Sequence, residues 1–358
     1  MKILVVGHSI GHPRQRGVWK YIAKQGHKVL LVSPQGVDGG IYQNETDGNF
    51  QLILMPAVGS DLPHFWFIPG VHEIVEKFKP DFIYCMQEPW EFQSFELANL
   101  AELYRIPFGF FTWENLPKVF PQPYRAMDNK VLTVSDLSVC GNLEGAQILA
   151  RKGARNVNVM LQTGLDETLL FPDPKIKVDN RKEPIKLLYI GRLVEAKGIS
   201  MLLDMMNILD DNYELRIVGG KGEEEIVNMI KNHPKLGTTI SVEEWVSYEK
   251  VREIYNWADL VLVPSVDTEQ WKEQCGYVIG ESILCGTPVI TTTSSSIVQI
   301  WGKCPGVEFI NQGDLGTLID IITSFAPFET KEGREYVIEN FSHTAIGDAL
   351  IEMIGEVV

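Results

Sequence analysis

The chain has 358 residues, 45% of them hydrophobic and 22% charged, which is enough apolar material for two cores and too much for a mainly disordered chain. Its 32 Lys and Arg against 47 Asp and Glu leave a net charge of −15, which argues against general nucleic-acid binding, where basic surface must meet phosphate. Residues 1–155 hold 15 basic and 15 acidic side chains, so the whole excess falls in the second half, as two domains with different surfaces would have it.

In chain order, Lys2–Val6 reads as a first strand, too short in its apolar part for a signal peptide. Arg16–Gln25 has helical spacing with Trp19, Ile22 and Ala23 on one side, and Val29–Val32 follows as a strand. Asp81–Cys85, Pro107–Thr112 and Lys130–Val134 are further strand candidates, with helices at Val71–Phe78, Glu91–Tyr104 and Asn142–Ala150. The alternation pauses at Gln162–Lys177, rich in turn formers and prolines, which reads as a crossover between domains. It resumes with strands at Ile185–Ile190, Tyr213–Val218, Thr239–Val242, Asp259–Val263 and Val289–Thr292. Helices at Gly198–Leu209, Glu223–Asn232, Tyr248–Asn256 and Tyr277–Leu284 separate them, and the tail from Thr330 is mostly helical. Near-continuous apolar strands alternating with helices predict an α/β protein of two Rossmann-like, doubly wound parallel-sheet domains facing a cleft. The expected domains are residues 1–165, residues 166–330, and C-terminal helices at 331–358 packing back toward the first domain.

In such sheets ligands bind beyond the C-terminal ends of the strands, so the loops after strands are where chemistry is sought. Gly191-Arg192-Leu193-Val194-Glu195-Ala196-Lys197-Gly198 follows a strand and opens a helix. Its Arg offers a bidentate fork and its Lys a point charge to one anion, and Gly198 lets backbone come close. The bland alternative is two solvated cations on a turn. Gly219-Gly220-Lys221-Gly222, after the next strand, is neither a Walker A motif nor a GxGxxG fingerprint and by itself reads as a plain turn. In the third loop Glu273 and Glu281 flank Gly276, which starts a helix whose first N–H groups, from Gly276 and Tyr277, are free to meet an anion or sugar hydroxyls. Here the alternative is two exposed acids.

Taken together the loops resemble the GT-B glycosyltransferases, specifically family 4, the retaining glycosyl transferases of group 1. The resemblance is carried by TGLD at Thr163–Asp166, GRLVEAKG at Gly191–Gly198, IVGGKG at Ile217–Gly222, ADLVLVPS at Ala258–Ser265 and EQCGYVIGESILCGTPVI at Glu273–Ile290. It is specific over roughly residues 160–300 and only topological before them. It implies a hexosyltransferase that moves a sugar from a nucleoside diphosphate donor to a glycan, glycolipid or small hydroxyl acceptor, as in polysaccharide or glycolipid synthesis. Arg192 and Lys197 then hold the donor diphosphate, Glu273 meets the donor sugar and Glu281 the ribose. Gly191, Gly219, Gly220, Gly276 and Tyr277 line the donor, and Trp245-Val246 lies where the base meets main chain. No cofactor and no metal are expected; Asp267-Thr268-Glu269 is only loosely like a metal-binding Asp-x-Asp.

The first domain departs from the family. The loop after strand one reads Gly7-His8-Ser9-Ile10-Gly11-His12-Pro13-Arg14-Gln15-Arg16, without the usual Gly-Gly pair, so Gly11 is the candidate for the donor phosphates, with Arg14 or Arg16 as a source of charge. Trp113-Glu114-Asn115 stands where a histidine is common and becomes the candidate acceptor-side wall; His8 and His12 lie close by topology. Arg16, Lys20 and Lys24 form one helical stripe, read either as a solvated face or as a docking patch for anionic headgroups or an acidic glycan. Five cysteines without a CxxC fit a reducing compartment, and no apolar run approaches the ~20 residues of a span. The expected location is the cytoplasm, with the stripe allowing peripheral contact with the inner membrane face. A GT-B epimerase or hydrolase and a non-catalytic nucleotide-sugar binder stand as alternatives; a nicotinamide oxidoreductase is disfavoured because no GxGxxG follows the first strand.

Overall fold

The computed structural model describes residues 1–36, 42–59, 65–173, 184–220, 222–325 and 330–358. They divide into two compact units, Met1–Gly164 with Phe341–Val358, and Leu165–Asn340.

The first unit runs β1 (Lys2–Val6), α1 (Gly17–Lys24), β2 (Lys28–Pro34), β3 (Glu45–Asp47), β4 (Phe50–Met55), α2 (Val71–Phe78), β5 (Phe82–Cys85), α3 (Phe92–Tyr104), β6 (Phe108–Thr112), α4 (Tyr124–Val134), β7 (Leu137–Cys140), α5 (Leu143–Arg151) and β8 (Val157–Val159). Its sheet has the order β3-β4-β2-β1-β5-β6-β7-β8, parallel except for the β3–β4 edge hairpin. Ile3, Leu4, Val5 and Val6 are fully buried, as a strand covered on both faces requires.

The second unit runs β9 (Ile185–Ile190), α6 (Ile199–Ile208), β10 (Tyr213–Val218), α7 (Glu224–Lys231), β11 (Ile240–Glu243), α8 (Val251–Trp257), β12 (Leu260–Val263), α9 (Tyr277–Leu284), β13 (Val289–Thr292), α10 (Ser295–Trp301), β14 (Val307–Ile310), α11 (Leu315–Thr323) and α12 (Lys331–Phe341). The strand order is β11-β10-β9-β12-β13-β14, all parallel. This is the doubly wound order in which the winding reverses between the first and fourth strands, here β9 and β12. The last helix, α13 (His343–Gly355), belongs to the first unit: Tyr21 of α1 donates to Asp348 at 2.7 Å, and a Cβ on Gly347 would lie 2.5 Å from the Tyr21 ring. Helix α12 belongs to the second, where Arg334 donates to the carbonyls of Glu167, Leu170 and Leu284.

Two sequence expectations change. Lys130–Val134 is the end of α4, not a strand; its Val-Leu-Thr-Val run looks β-like, but Met127, Val131 and Leu132 supply a helical buried face. The stripe Arg16/Lys20/Lys24 is not an open basic face, because Arg16 and Lys20 both pair with Glu45, an acid 29 and 25 residues further on. Arg16 is itself buried, its other guanidinium nitrogen given to the Gly11 carbonyl. Among the described residues no helix is long and apolar enough to cross a membrane.

Candidate functional site

The chemistry-bearing loops of the second unit meet at the switch between β9 and β12. After β9 the chain turns at Gly191, where a Cβ would lie 2.8 Å from the Tyr189 hydroxyl, and that hydroxyl donates to the Arg192 carbonyl at 2.6 Å. Gly219, after β10, lies against the Gly191 carbonyl, which an added Cβ would meet at 2.4 Å, so a side chain at Gly219 would strike backbone. Leu193 bridges to Gly222 and accepts from the Glu223 amide at 2.9 Å. Gly198 holds a left-handed φ of 72° and faces the Pro264 carbonyl just past β12, while the Val266 amide donates to Ala196 at 2.9 Å. Backbone contacts thus clip the GRLVEAKG loop to the end of β12.

That clip brings Lys197 to Glu273. Lys197 Nζ donates to Glu273 Oε2, which also accepts from Ser265 Oγ at 2.9 Å, and Nζ lies 4.8 Å from the Trp271 ring centroid. Glu273 is 7% exposed, so the lysine offsets a carboxylate that burial would otherwise penalise. Three residues on, Gly276 takes a φ of 61° and α9 begins, with the Cys275 carbonyl accepting from Trp301 Nε1 at 2.6 Å. Glu281, two turns into the stretch from Glu273, is 4% exposed and accepts from the Tyr255 hydroxyl at 2.7 Å. Both glutamates are therefore buried rather than the exposed acids of the bland reading. Arg192 is exposed and makes no ion pair among the described residues. Trp245 is 54% exposed and lies on Gly220, where any Cβ would strike its indole; Val246 is half-buried beside it, and Tyr277 is half-buried at the start of α9. Lys221 falls outside the described residues.

Trp271 also walls a cavity of about 520 Å³ that carries Glu195, Glu223 and Glu269. Three carboxylates make it a poor place for an anion. Among the described residues no group of three or more His, Cys, Asp or Glu is placed to hold a metal ion.

In the first unit the winding reverses between β1 and β5, and side chains gather there too. His8 Nδ1 meets the side-chain amide of the buried Gln87, and the His8 ring stands edge-on to Trp66 at 6.0 Å. At Gly11 the amide donates to Ser33 Oγ at 3.1 Å and the carbonyl accepts from Arg16, so both backbone groups are engaged inside the unit. His12 accepts from the Arg14 amide at 3.2 Å.

Trp113, Glu114 and Asn115 form a braced turn. The Trp113 indole lies on Gly141, stands edge-on to Phe111 at 4.8 Å and donates to Gln162 at 3.2 Å. Glu114 folds back on its own loop, accepting from the Leu116 amide at 3.2 Å and from Lys118 at 2.5 Å, and Asn115 is buried. Glu114 is thus a loop-organising residue in this structure.

Sequence reasoning missed Glu88, the carboxylate that braces this turn, and Glu91 near it. Met86-Gln87-Glu88-Pro89-Trp90-Glu91 follows β5, and two acids in a loop directly after a buried strand were the available signal. Burial pushes the Glu88 carboxyl up to about 7, against hydrogen bonds from Thr112 and Trp113 that favour its charged form. Burial, then the neighbouring Glu88, pushes Glu91 up to about 8. Trp271, Ser265 and Tyr255 were also missed, because only the fold shows what they touch.

The two acids carry a stability prediction. Their folded values lie above the ordinary 4.5, so between pH 4.5 and 8 the folded chain binds more protons than the unfolded one and loses stability as pH rises. Urea denaturation from pH 5 to 9 should show this loss in the wild type and a smaller one in Glu88→Gln/Glu91→Gln. Equal slopes would contradict the burial of these charges.

The fold is that of the GT-B glycosyltransferases. Within it, residues 172–303 match the family described as Glycosyl transferases group 1. An uncharacterized 41.2 kDa protein of the Klebsiella pneumoniae cps region is 24% identical over 178 residues, 48% of this chain and 47% of that protein. The chain spans less than half the length of the curated relatives it matches. The crystal structure of Anabaena HepE in complex with UDP and glucose superposes with a TM-score of 0.74 at 18% identity, over 99% of this chain and 100% of that one. Sucrose-phosphate synthase from Thermosynechococcus elongatus gives 0.75 at 17% identity, over 99% and 98%.

Proposed function

We propose that this protein is a retaining, metal-independent glycosyltransferase that moves a sugar from a nucleoside diphosphate donor to a hydroxyl acceptor. The observation that carries the reading is the assembly of Lys197, Glu273 and Ser265 at the β9–β12 switch, next to Arg192 and the N-terminus of α9. A UDP-bound structural neighbour, HepE, supports a nucleotide-sugar donor.

In this reading Arg192, Lys197 and the first amides of α9 hold the diphosphate. When the bond from the anomeric carbon to the diphosphate oxygen breaks, the electron pair stays on that oxygen, and the two cations offset the charge as it grows. The acceptor hydroxyl adds to the same face and its proton passes to the leaving phosphate oxygen, so no separate base is required. Glu273, oriented by Lys197 and Ser265, takes hydroxyls of the donor sugar. Glu281, backed by Tyr255, takes the ribose, and Trp245 on Gly220 flanks the base. Gly191 and Gly219 keep the floor of the site at backbone level, and Tyr277 stands beside the sugar.

A thermal-shift screen of UDP, GDP and ADP sugars, followed by product analysis, tests the reading: one donor series should stabilise the protein and yield a glycoside of retained configuration. No stabilisation by any of them would overturn it. Transfer should persist in EDTA, since the GRLVEAKG cations neutralise the diphosphate; complete loss restored by Mg²⁺ or Mn²⁺ would refute metal independence.

The two glutamates should separate. Glu281→Ala is expected to raise KM for every nucleotide sugar and to weaken free nucleoside diphosphate, whereas Glu273→Ala should spare the nucleotide and damage transfer. Calorimetry with the diphosphate alone distinguishes them, and equal affinities would contradict the division of roles.

A further inference from the structure

The half-buried acid Glu88 is no member of the proposed donor site, and it braces a turn of the first unit. It sits three residues past β5, and its carboxylate reaches across to the end of β6. One oxygen, Oε1, accepts from the Trp113 amide at 2.9 Å; the other accepts from the Thr112 hydroxyl. That hydroxyl in turn accepts from the Glu114 amide at 3.0 Å. The Glu88 carbonyl takes Ser94 Oγ at 2.7 Å and the Glu91 amide at 3.1 Å, so the carboxylate is anchored to the start of α3 rather than to a loose loop. The two oxygens of one carboxylate thus accept a bond each from successive residues at a neighbouring strand end. A purely structural tie between β5 and β6 exists already in their ladder, Ile83–Phe108 to Cys85–Phe110. What Glu88 adds lies beyond the ladder, at the C-terminal edge where ligands of such sheets bind.

Around that edge stand side chains of the kinds that suit carbohydrate. Trp113 offers an indole whose N–H is tied to Gln162, and Gln87 with His8 and Trp66 adds an amide, an imidazole and a second ring at the β1–β5 switch. Amides and aromatic faces suit hydroxyl-bearing rings.

We propose that Glu88 is a positioning residue for a carbohydrate acceptor, fixing the Trp113–Asn115 turn that the acceptor meets. This rests on the glycosyltransferase reading and deepens it. The carboxylate acts in its ionised form, since a protonated oxygen no longer accepts one of the two bonds. The charged and titratable groups facing it are Glu91 on its own segment, Cys85 at the end of β5, and Glu114 and Lys118 from the loop after β6.

The test compares wild type with Glu88→Gln and Thr112→Val, the second removing a single hydroxyl with little change of shape. Three readouts are taken: hydrogen exchange at the Trp113 and Glu114 amides, UDP affinity by calorimetry, and transfer from UDP-glucose to a panel of p-nitrophenyl glycosides across pH 5.5–9. In both variants the two amides should exchange at least roughly tenfold faster and KM for the glycoside should rise about tenfold, as lost bonds to a charged group would give. UDP affinity should stay within about twofold, and Glu88→Gln should lose the acid limb of the KM profile near pH 7. Wild-type UDP binding and transfer with an unchanged glycoside KM in both variants overturns the role of Glu88 alone. Absence of binding and transfer in the wild type with UDP, GDP and ADP sugars alike overturns the glycosyltransferase reading, and the acceptor role falls with it; faster exchange in the variants would then leave Glu88 a structural tie only.

Discussion

Replacing Arg192 or Lys197 by Ala should lower turnover at saturating donor by about 10²–10³, the usual consequence of removing one group that meets charge growing in a transition state. The two variants should differ in what else they lose. Arg192 is exposed and without an ion pair among the described residues, so Arg192→Ala should melt close to wild type. Lys197 is half-buried and neutralises Glu273, whose side chain is 9% exposed. Removing it strands a buried carboxylate, at about 3–5 kcal/mol when nothing else compensates. Ser265 remains as one hydrogen-bond donor, so the loss should fall toward the lower end of that range. Steady-state kinetics with calorimetric melting of both proteins checks the pair of expectations. Near-wild-type turnover in either variant removes that residue from the diphosphate site. A stable Lys197→Ala would mean that the other partners of Glu273, Ser265 among them, suffice to hold it in the folded protein.

Gly198→Ala should be among the most destabilising single substitutions in the second unit. The position has a φ of 72°, where a Cβ costs roughly 1 kcal/mol or more, and the added methyl would collide with the Pro264 carbonyl oxygen. Backbone cannot swing aside as a flexible side chain does, so overpacking adds about 1–3 kcal/mol. Gly237 provides the control: its φ is 81°, but nothing lies within 4 Å of an added Cβ. Gly237→Ala should show the conformational cost alone, and the difference between the two melting temperatures isolates the clash. If Gly198→Ala melts with Gly237→Ala, the loop after β9 is not clipped to β12. The same substitution should impair transfer, because the displaced loop carries Lys197.

Both predictions turn on a division between what neighbouring residues fix and what distant ones fix. The alternation of buried strands and amphipathic helices is a local property, since each strand must be apolar on both faces wherever it sits in a parallel sheet. The ranges of β9, β10 and α9 could therefore be read almost to the residue. The ligand loops were legible for the same reason: a doubly wound sheet places its chemistry immediately after its strands, so Gly191–Gly198 and Glu273–Glu281 announced themselves by position and residue type. Where local and tertiary demands differ, the local reading failed. Val131–Val134 has the composition of a strand, but the buried face set by Met127 and Val131 made it helix, and the strand moved on to Leu137–Cys140. The β3–β4 hairpin was missed because β4 is next to an edge and alternates buried with exposed residues instead of staying apolar throughout.

Pairings across long stretches of chain were decided only by the tertiary structure. Lys197 meets Glu273 across 76 residues because β9 pairs with β12 and not with β11, a choice made by strand order. Arg16 and Lys20 look like an exposed stripe until β4 brings its hairpin partner Glu45 against them. Glu88 looks like one acid among 47 until β5 and β6 lie side by side and give its carboxylate two donors. A sequence fixes which residues are able to be buried, charged or turned, because these are properties of the residue and its neighbours. Which charge answers which is a property of the sheet order, whose cost in chain entropy is met by the whole core at once and by no local segment of it.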